Sequence, residues 1–262
     1  MTKYGNKMKP GPLLVVVIFV FSFIYLPLML IIIFSFNSSQ IAIYPLEEFS
    51  LHWYRELFAD RQIFEALLNT IIIGVSTVFL SLILGIPAAF ALNRIHFPGK
   101  SIYNFVVTMP FVLPEIVTGV ALLTFFIYLN VQLSIGTVLI GHVVFCLSVA
   151  IRTIGARLQV LSRSYEESSY DLGASGFRTF LKVTLPNIRT AIITASLLIF
   201  TISFDETVIT IFTVGAQNTL PMVVWGMMRR GFTPKINALA TFIFVASLIM
   251  IVLVGLRMRE ET

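Results

Sequence analysis

Six long apolar stretches, separated by short polar segments, constrain this chain more than any other feature of its sequence. The stretches are Leu13–Phe36, Ile63–Leu92, Ile102–Tyr128, Leu133–Ile151, Ile188–Val214 and Ile236–Leu256. They approach or exceed the roughly 20 residues that an α-helix needs to cross a bilayer. Only 12% of the 262 residues are charged, whereas a soluble domain averages about 25%. The sequence therefore predicts an all-α polytopic membrane protein with six transmembrane helices.

The distribution of Lys and Arg predicts the orientation of these helices. With the N-terminus in the cytoplasm, 13 of the 18 basic residues fall on the cytoplasmic side and five fall outside. Cytoplasmic loops of membrane proteins carry such an excess. We therefore expect both termini, and the polar stretch Ser164–Asn187, to face the cytoplasm. Arg229 and Arg230 go against this trend, because they lie in a predicted outside loop.

Several classes of function are disfavoured by the sequence. A single cysteine, Cys146, cannot form an internal disulfide, and no Cys and His spacing is typical of a metal site. The segment "FPGKS" at 97–101 ends like a phosphate-binding loop, but Arg94 occupies the position of the first glycine. No catalytic motif is present, and no basic face stands free for nucleic acid. His142 lies in the fourth stretch and is more typical of a hydrogen-bonded bundle residue than of a proton relay.

Three carboxylates lie within the apolar stretches, namely Glu115, Asp205 and Glu206. A carboxylate at the bilayer centre costs at least ~2.5 kcal/mol, so such residues usually face a partner or a water-filled path. One interpretation is a pathway in which unpaired carboxylates replace part of the hydration shell of a cationic solute. The other is that these acids are protonated or hydrogen-bonded and hold the bundle together.

Hydroxyl side chains accompany two of these acids in the fifth stretch. On one continuous helix, Glu206 shares a stripe with Ser203 and Thr210, and Asp205 shares another with Thr201. We expect both stripes to border a polar cavity.

The polar stretch Ser164–Asn187 is predicted to form two short helical pieces joined at Gly173. Acids in the first turn of the first piece suit the helix dipole, and a glycine commonly ends a helix in a left-handed conformation. Phe177 and Phe180 lie on one face of the second piece. Exposed aromatic side chains of this kind indicate a partner surface.

The same stretch carries a motif. Glu167-Ser168-Ser169 is followed after three residues by Gly173, and after nine more by Val183-Thr184-Leu185-Pro186. This pattern resembles the EAA motif of ABC importer permeases, E-A-A-x3-G-x9-I-x-L-P, with Ser for both alanines and Val for Ile. In that family the motif forms coupling helices that sit in a groove on the cytoplasmic ATPase. The resemblance implies that the following residues couple to the ATPase: Glu166, Glu167, Asp171, Gly173, Ala174, Phe177, Phe180, Leu185 and Pro186. Among them, Glu167 is expected to anchor the hairpin.

Essentially the whole chain resembles the C-type permease of spermidine/putrescine importers. The segments that carry this resemblance are "IIIFSFNSS", "PFVLPEIVTG", "YDLGAS", "SFDETVI" and "NALATFIFVASLIMIV". It implies a type I ABC importer (MetI-like) permease fold in the bacterial cytoplasmic (inner) membrane. The expected organisation is one transmembrane domain, residues 1–262, with a first helix at about 13–36, a core of five helices at about 63–256 and a cytoplasmic coupling hairpin at about 164–187.

The resemblance also implies partners for a chain that is itself no enzyme. These are a second permease subunit (a homologous B-type chain or a second copy), two ABC ATPase subunits, an extracytoplasmic solute-binding protein and the surrounding membrane lipid. ATP and Mg would bind to the ATPase subunits, so no cofactor or metal is expected on this chain. The implied solute is a small cation, a polyamine, with six pathway residues: Glu115, Asp205, Glu206, Thr201, Ser203 and Thr210.

Two alternatives remain at this point. The chain could belong to a permease for another amine, 4-aminobutyrate, an opine or an aminophosphonate, since such permeases look similar. It could also be a stand-alone secondary transporter of cations. Six segments without an evident inverted repeat argue against the second alternative.

Overall fold

The structure is a computed structural model that describes residues 10–39, 46–231 and 233–260, with side chains omitted at Pro10, Pro12 and 250–260. Its elements are α1 (Pro10–Phe34), α2 (His52–Ala59), α3 (Arg61–Arg94), α4 (Lys100–Val112), α5 (Glu115–Tyr128), α6 (Ile135–Val160), α7 (Ser164–Asp171), α8 (Gly176–Thr179), a π-helical stretch (Phe180–Thr184), α9 (Leu185–Asn187), α10 (Arg189–Asp205), α11 (Val208–Thr213), α12 (Leu220–Arg230) and α13 (Pro234–Glu260). Apart from one isolated bridge between Asn37 and Phe49, the described residues contain no β-structure. The predicted all-α class is confirmed.

Three helices are long and apolar enough to cross a membrane by themselves. They are Leu13–Phe34 within α1, Arg61–Arg94 and Ile135–Val160. Two bent pairs qualify as further spans, Lys100–Val112 with Glu115–Tyr128 and Gly176–Asn187 with Arg189–Asp205. Over the described residues, length and composition therefore give three spans, or five when each pair counts as one. The sixth predicted span corresponds to α13, where the described apolar part is Pro234–Ile249.

Several predicted boundaries change in the structure. The third stretch is bent in the structure, because α4 and α5 meet at 106° around Leu113 and Pro114. A proline disfavours helical backbone at the residue before it. The helix of the fourth stretch, α6, continues to Val160, nine residues beyond the predicted end at Ile151. The predicted continuous fifth helix is wrong, because α10 ends at Asp205.

The chain divides into two compact units. Residues 62–223 form one, and the residues before Gln62 together with those from Val224 onward form the other. In the second unit α13 packs against α1 and α2, and Lys235 Nζ of α13 lies 2.6 Å from Asp60 Oδ2. The basic residues of the N-terminal tail used in the charge count, Lys3, Lys7 and Lys9, lie outside the described residues. The expected single domain and the predicted orientation both stay predictions.

In the 62–223 unit, α6 is the central helix and packs against α4, α5, α10 and α11. Two glycines bring α11 unusually close to its neighbours. A Cβ on Gly119 of α5 would lie 2.6 Å from the Phe212 ring, and one on Gly141 of α6 would lie 2.8 Å from Ile209 Cγ2. Small residues of this kind allow membrane helices to approach closely. They place the acidic part of the fifth stretch against both α5 and α6.

Candidate functional site

The fifth membrane stretch is interrupted at its two acids. Helix α10 ends at Asp205, Glu206 has extended backbone (φ −67°, ψ 108°), and α11 begins at Val208. The Glu206 carboxylate accepts the backbone N–H of Ile209 at 2.8 Å, so the side chain turns towards the first turn of α11. The predicted stripe of Glu206 with Ser203 and Thr210 therefore does not lie on one helix, whereas Asp205 and Thr201 both lie on α10.

The three intramembrane acids lie near enough to this break to interact electrostatically. Glu206 is only 7% exposed, whereas Glu115 and Asp205 are exposed on the 62–223 unit. Both exposed carboxylates lie within electrostatic reach of Glu206. Glu115 is the first residue of α5, directly after the bend at Pro114, and α5 packs against α11. The bend at Pro114 and the break at Glu206 thus adjoin two helices that pack together, and each carries acid.

The backbone adds to the negative character of this locus. The last carbonyls of a helix have no intrahelical partner, and the helix dipole makes that end negative. Helix α10 ends here, with Asp205 as its last residue. Discontinuous membrane helices are a recurrent source of ion and substrate sites in transporters. The locus is therefore suited to a cation.

The predicted hydroxyl residues separate into two groups. Thr201 is exposed and donates its hydroxyl to Leu197 O at 2.9 Å. Ser203 and Thr210 are buried and lie on opposite sides of the break. Both contact His142 of α6, which is only 2% exposed. Ser203 and Thr210 thus belong to one buried group, and Thr201 does not.

His142 links α6 to both sides of the break. Its Nδ1 lies 2.7 Å from Ser203 Oγ and its Nε2 lies 2.9 Å from Thr210 Oγ1. Thr210 donates its one proton to the Glu206 carbonyl at 2.8 Å, so Nε2 is the donor to Thr210. A neutral imidazole with its proton on Nε2 then accepts from Ser203 and satisfies both bonds. The prediction of a hydrogen-bonded bundle histidine is confirmed.

The hairpin is built as predicted, with a turn at Gly173. Helix α7 ends at Asp171, Gly173 has φ +81°, and Ser175 accepts the backbone N–H of Arg178 at the start of α8. A positive φ of this size favours glycine. Of the nine predicted coupling residues, five are exposed and three half-buried, and one is buried. The exposed ones are Glu167, Asp171, Gly173, Phe177 and Pro186, and the half-buried ones are Ala174, Phe180 and Leu185.

The buried coupling residue is Glu166, which anchors the hairpin to the end of α3. Its Oε2 lies 2.8 Å from Arg94 Nε at the end of α3, and its Oε1 accepts the Thr184 hydroxyl at 2.9 Å. The side chains of Arg94 and Glu166 are 9% and 8% exposed. The Nε–H of Arg94 is not aligned on a hydrogen-bond acceptor, so the contact acts as an ion pair. The expectation that Glu167 is the anchor is corrected: α7 turns Glu166 inward and leaves Glu167 exposed.

Further contacts hold the hairpin to α3 and α6. Phe180 packs edge-on against Phe90 of α3 with ring centroids 5.4 Å apart. Beside the hairpin, Arg94 Nη2 donates to Leu161 O at 3.0 Å, just after α6. At its far end, Arg157 Nε of α6 donates to Asn187 O at 3.3 Å. The hairpin is therefore fixed to two long helices as well as to α10, which follows it in the chain.

Comparison with known proteins identifies the family. Residues 81–259 match the family described as binding-protein-dependent transport system inner membrane component. This chain belongs to that family. With its long apolar helices it is therefore a multi-pass membrane protein and a transport permease subunit.

Three curated relatives cover most of the chain. It is 38% identical to the putrescine transport system permease protein PotI of Escherichia coli K12 over 220 residues, which are 81% of this chain and 78% of the relative. It is 32% identical to the spermidine/putrescine transport system permease protein PotC of the same strain over 229 residues, 87% and 86% of the two chains. It is 33% identical to PotC of Haemophilus influenzae over 228 residues, 87% and 88%.

Two solved structures share the fold. A chain of a bacterial ABC transporter involved in the import of the acidic polysaccharide alginate superposes with a TM-score of 0.72 at 18% identity, over 97% of this chain and 99% of that one. A chain of the MetNI methionine ABC transporter, in an inward-facing conformation, superposes with a TM-score of 0.64 at 16% identity, over 75% and 94%. The predicted type I importer permease fold is confirmed.

We predict that Glu166→Gln destabilises the protein and Glu167→Gln does not. Removing one member of a buried ion pair leaves the other charge buried and costs roughly 3–5 kcal/mol. The exposed neighbour Glu167 provides a matched control on the same helix turn. Thermal unfolding of the purified protein in detergent measures the difference. Equal melting temperatures for both variants would show that the Arg94 contact contributes nothing to the fold.

We predict that His142→Leu lowers the melting temperature and that His142→Gln recovers part of the loss. Leucine leaves the Ser203 and Thr210 hydroxyls without their common partner. Hydrogen bonds between membrane helices contribute about 0.6 kcal/mol on average and at most about 1.7 kcal/mol each. Glutamine retains a donor and an acceptor and is the matched control. The same unfolding assay checks both, and a leucine variant as stable as the wild type would contradict the bridging role.

Proposed function

We propose that this chain is the transmembrane permease subunit of an ATP-driven ABC importer for polyamines such as spermidine and putrescine. The observation that carries the proposal is the meeting of Glu115, Asp205 and Glu206 where two membrane helices are interrupted. Family membership and the names of the curated relatives support it. The acidic locus provides the chemistry that a polycation requires.

A protonated polyamine loses hydration when it enters a membrane protein and needs anionic or carbonyl oxygens in return. Exposed carboxylates at Glu115 and Asp205, with the end of α10 beside them, supply such oxygens. The same charges repel an anionic group. They therefore disfavour 4-aminobutyrate, opines and aminophosphonates, each of which carries an acidic group. A stand-alone secondary transporter is disfavoured by the family match and by the exposed coupling hairpin.

The proposed assembly contains the partners that such a permease requires. A second permease subunit, either a B-type homologue or a second copy, completes the pathway, and an extracytoplasmic solute-binding protein delivers the polyamine. Two ABC ATPase subunits hold ATP and Mg, so this chain carries no cofactor. The assembly lies in the bacterial cytoplasmic membrane, with both termini of this chain in the cytoplasm.

The hairpin transmits the ATPase cycle to the acidic locus. The exposure of Phe177 (74%) and of Glu167 supports a role for both side chains in contacting the ATPase groove. Movement of the hairpin is passed to α3 through the ion pair of Arg94 with Glu166 and to α6 through Arg157. ATP binding and hydrolysis thereby switch the pathway between outward-facing and inward-facing states, as rigid-body transitions at packed interfaces do.

We predict that Glu115→Gln and Glu206→Gln each reduce spermidine uptake about tenfold. Each substitution removes one negative charge from the acidic locus, and a tenfold change corresponds to about 1.4 kcal/mol. The measurement is uptake of labelled spermidine into proteoliposomes that contain the complete transporter and its binding protein. Glu56→Gln is the control, because it removes an exposed carboxylate from α2.

Two outcomes of this experiment reject different parts of the proposal. Full uptake by both variants would assign the acids to bundle stability rather than to the pathway. Uptake of 4-aminobutyrate in preference to spermidine by the wild-type transporter would reject the polyamine assignment while leaving the importer intact.

We predict that Gly173→Val abolishes uptake without removing the protein from the membrane. Valine is strongly disfavoured at φ +81° because of its Cβ branch. Asparagine tolerates this conformation, so Gly173→Asn should retain most of the uptake. Uptake and membrane abundance are compared for the three proteins. Normal uptake by the valine variant would contradict a rigid coupling hairpin.

A further inference from the structure

A second polar locus lies at the end of the 62–223 unit that carries the hairpin. A cavity of about 460 Å³ is bounded by the end of α3, the start of α4 and the last turns of α6. Its polar lining residues are Asn93, Lys100, Ser101, Asn104, Arg152 and Gln159. This volume falls within the roughly 300–1,000 Å³ of ligand pockets. The cavity is thus large enough for a small ligand group.

The lining is basic. Lys100 and Arg152 are its charged residues, and all the other polar residues that line it are uncharged. Ser101, Asn104 and Gln159 are exposed and can donate hydrogen bonds. Lys100 and Ser101 are also the first residues of α4, the positive end of that helix. The chemistry is that of an anion site, opposite in sign to the acidic locus.

Contacts within the chain position both cationic side chains and leave some of their N–H groups free to bind a ligand. The Arg152 guanidinium carbon lies 5.6 Å from the centre of the Phe111 ring. This cation–π contact uses the face of the guanidinium, so its N–H groups can still donate hydrogen bonds to a ligand. Lys100 Nζ donates one hydrogen bond to Ile95 O at 3.3 Å, which leaves two of its three hydrogens. Lys and Arg residues that only set the membrane orientation of a protein do not need to line one common cavity.

The apolar surroundings specify the kind of anion. Ile102 and Phe105 are exposed on α4, adjacent in sequence to the lining residues Ser101 and Asn104. No residue of α4 is buried within the described part of the chain. An anion that also carries apolar chains would bind in the cavity with those chains packed along α4. Basic pockets between membrane helices bind anionic lipid headgroups in this way.

We propose that this cavity binds the phosphate of an anionic phospholipid, with phosphatidylglycerol as the test ligand. Lys100 and Arg152 contact the phosphate, the uncharged polar side chains contact the headgroup, and the acyl chains pack along Ile102 and Phe105. The cavity contains none of the proposed pathway residues, so a test of lipid binding does not depend on the proposed substrate.

Native mass spectrometry of the complete detergent-purified transporter, titrated with phosphatidylglycerol, tests the proposal. Phosphatidylcholine with the same acyl chains is the neutral comparison. We expect phosphatidylglycerol to bind in preference, and Lys100→Gln with Arg152→Gln to weaken that binding at least tenfold. Arg178→Gln with Lys182→Gln is the control, because it removes two exposed charges from the hairpin and should leave binding unchanged.

A cavity-filling variant separates a defined site from general charge attraction. Ala156→Trp fills the cavity and keeps both cations, so it should weaken phosphatidylglycerol binding as strongly as the charge variant. Equal lipid binding by all variants would overturn the proposal and would indicate that a partner subunit covers the cavity. Displacement of the lipid by millimolar inorganic phosphate would overturn it in favour of a free-anion site.

Discussion

The interrupted fifth span is the constraint on which the rest of this structure depends. In a bilayer an unpaired backbone group costs several kcal/mol, so irregular backbone is tolerated only where protein or water satisfies it. Here side chains supply the hydrogen bonds that the irregular backbone needs. Glu206 accepts the Ile209 N–H, Thr210 donates to the Glu206 carbonyl, and His142 holds Thr210 and Ser203 from α6. The hydrogen bonds that hold the break are thus supplied by residues within 62–223.

The helices that hold the break also hold the hairpin. Helix α3 carries Thr77, whose hydroxyl lies 3.4 Å from Ser203 Oγ, and ends at Arg94, which pairs with Glu166. These two positions are 17 residues apart, or about 25 Å along the helix. Helix α6 carries His142 and, four turns later, Arg157 beside Asn187. Two long helices, α3 and α6, therefore connect the hairpin to the break, in addition to the direct connection through α10.

Features of the fold that depend on local chemistry could be predicted from the sequence, and features that depend on tertiary pairing could not. Apolar stretches, the bend at Pro114 and the turn at Gly173 follow from bilayer thickness and backbone sterics. The break at Glu206 does not, because "SFDETVI" contains neither glycine nor proline and resembles a helix interior. Glu166 and Glu167 are chemically identical neighbours, and only the position of Arg94, far away in the chain, decides which one is buried.

The three acids have different roles because their partners differ. Glu206 is buried and its Oε1 accepts the Ile209 N–H, so its carboxylate also holds the geometry of the break. Glu115 and Asp205 are exposed, and their charges repel that of Glu206. A polycation placed beside them relieves this repulsion, whereas a monovalent cation relieves less of it. The acidic locus thus combines one carboxylate that holds the break with two exposed carboxylates.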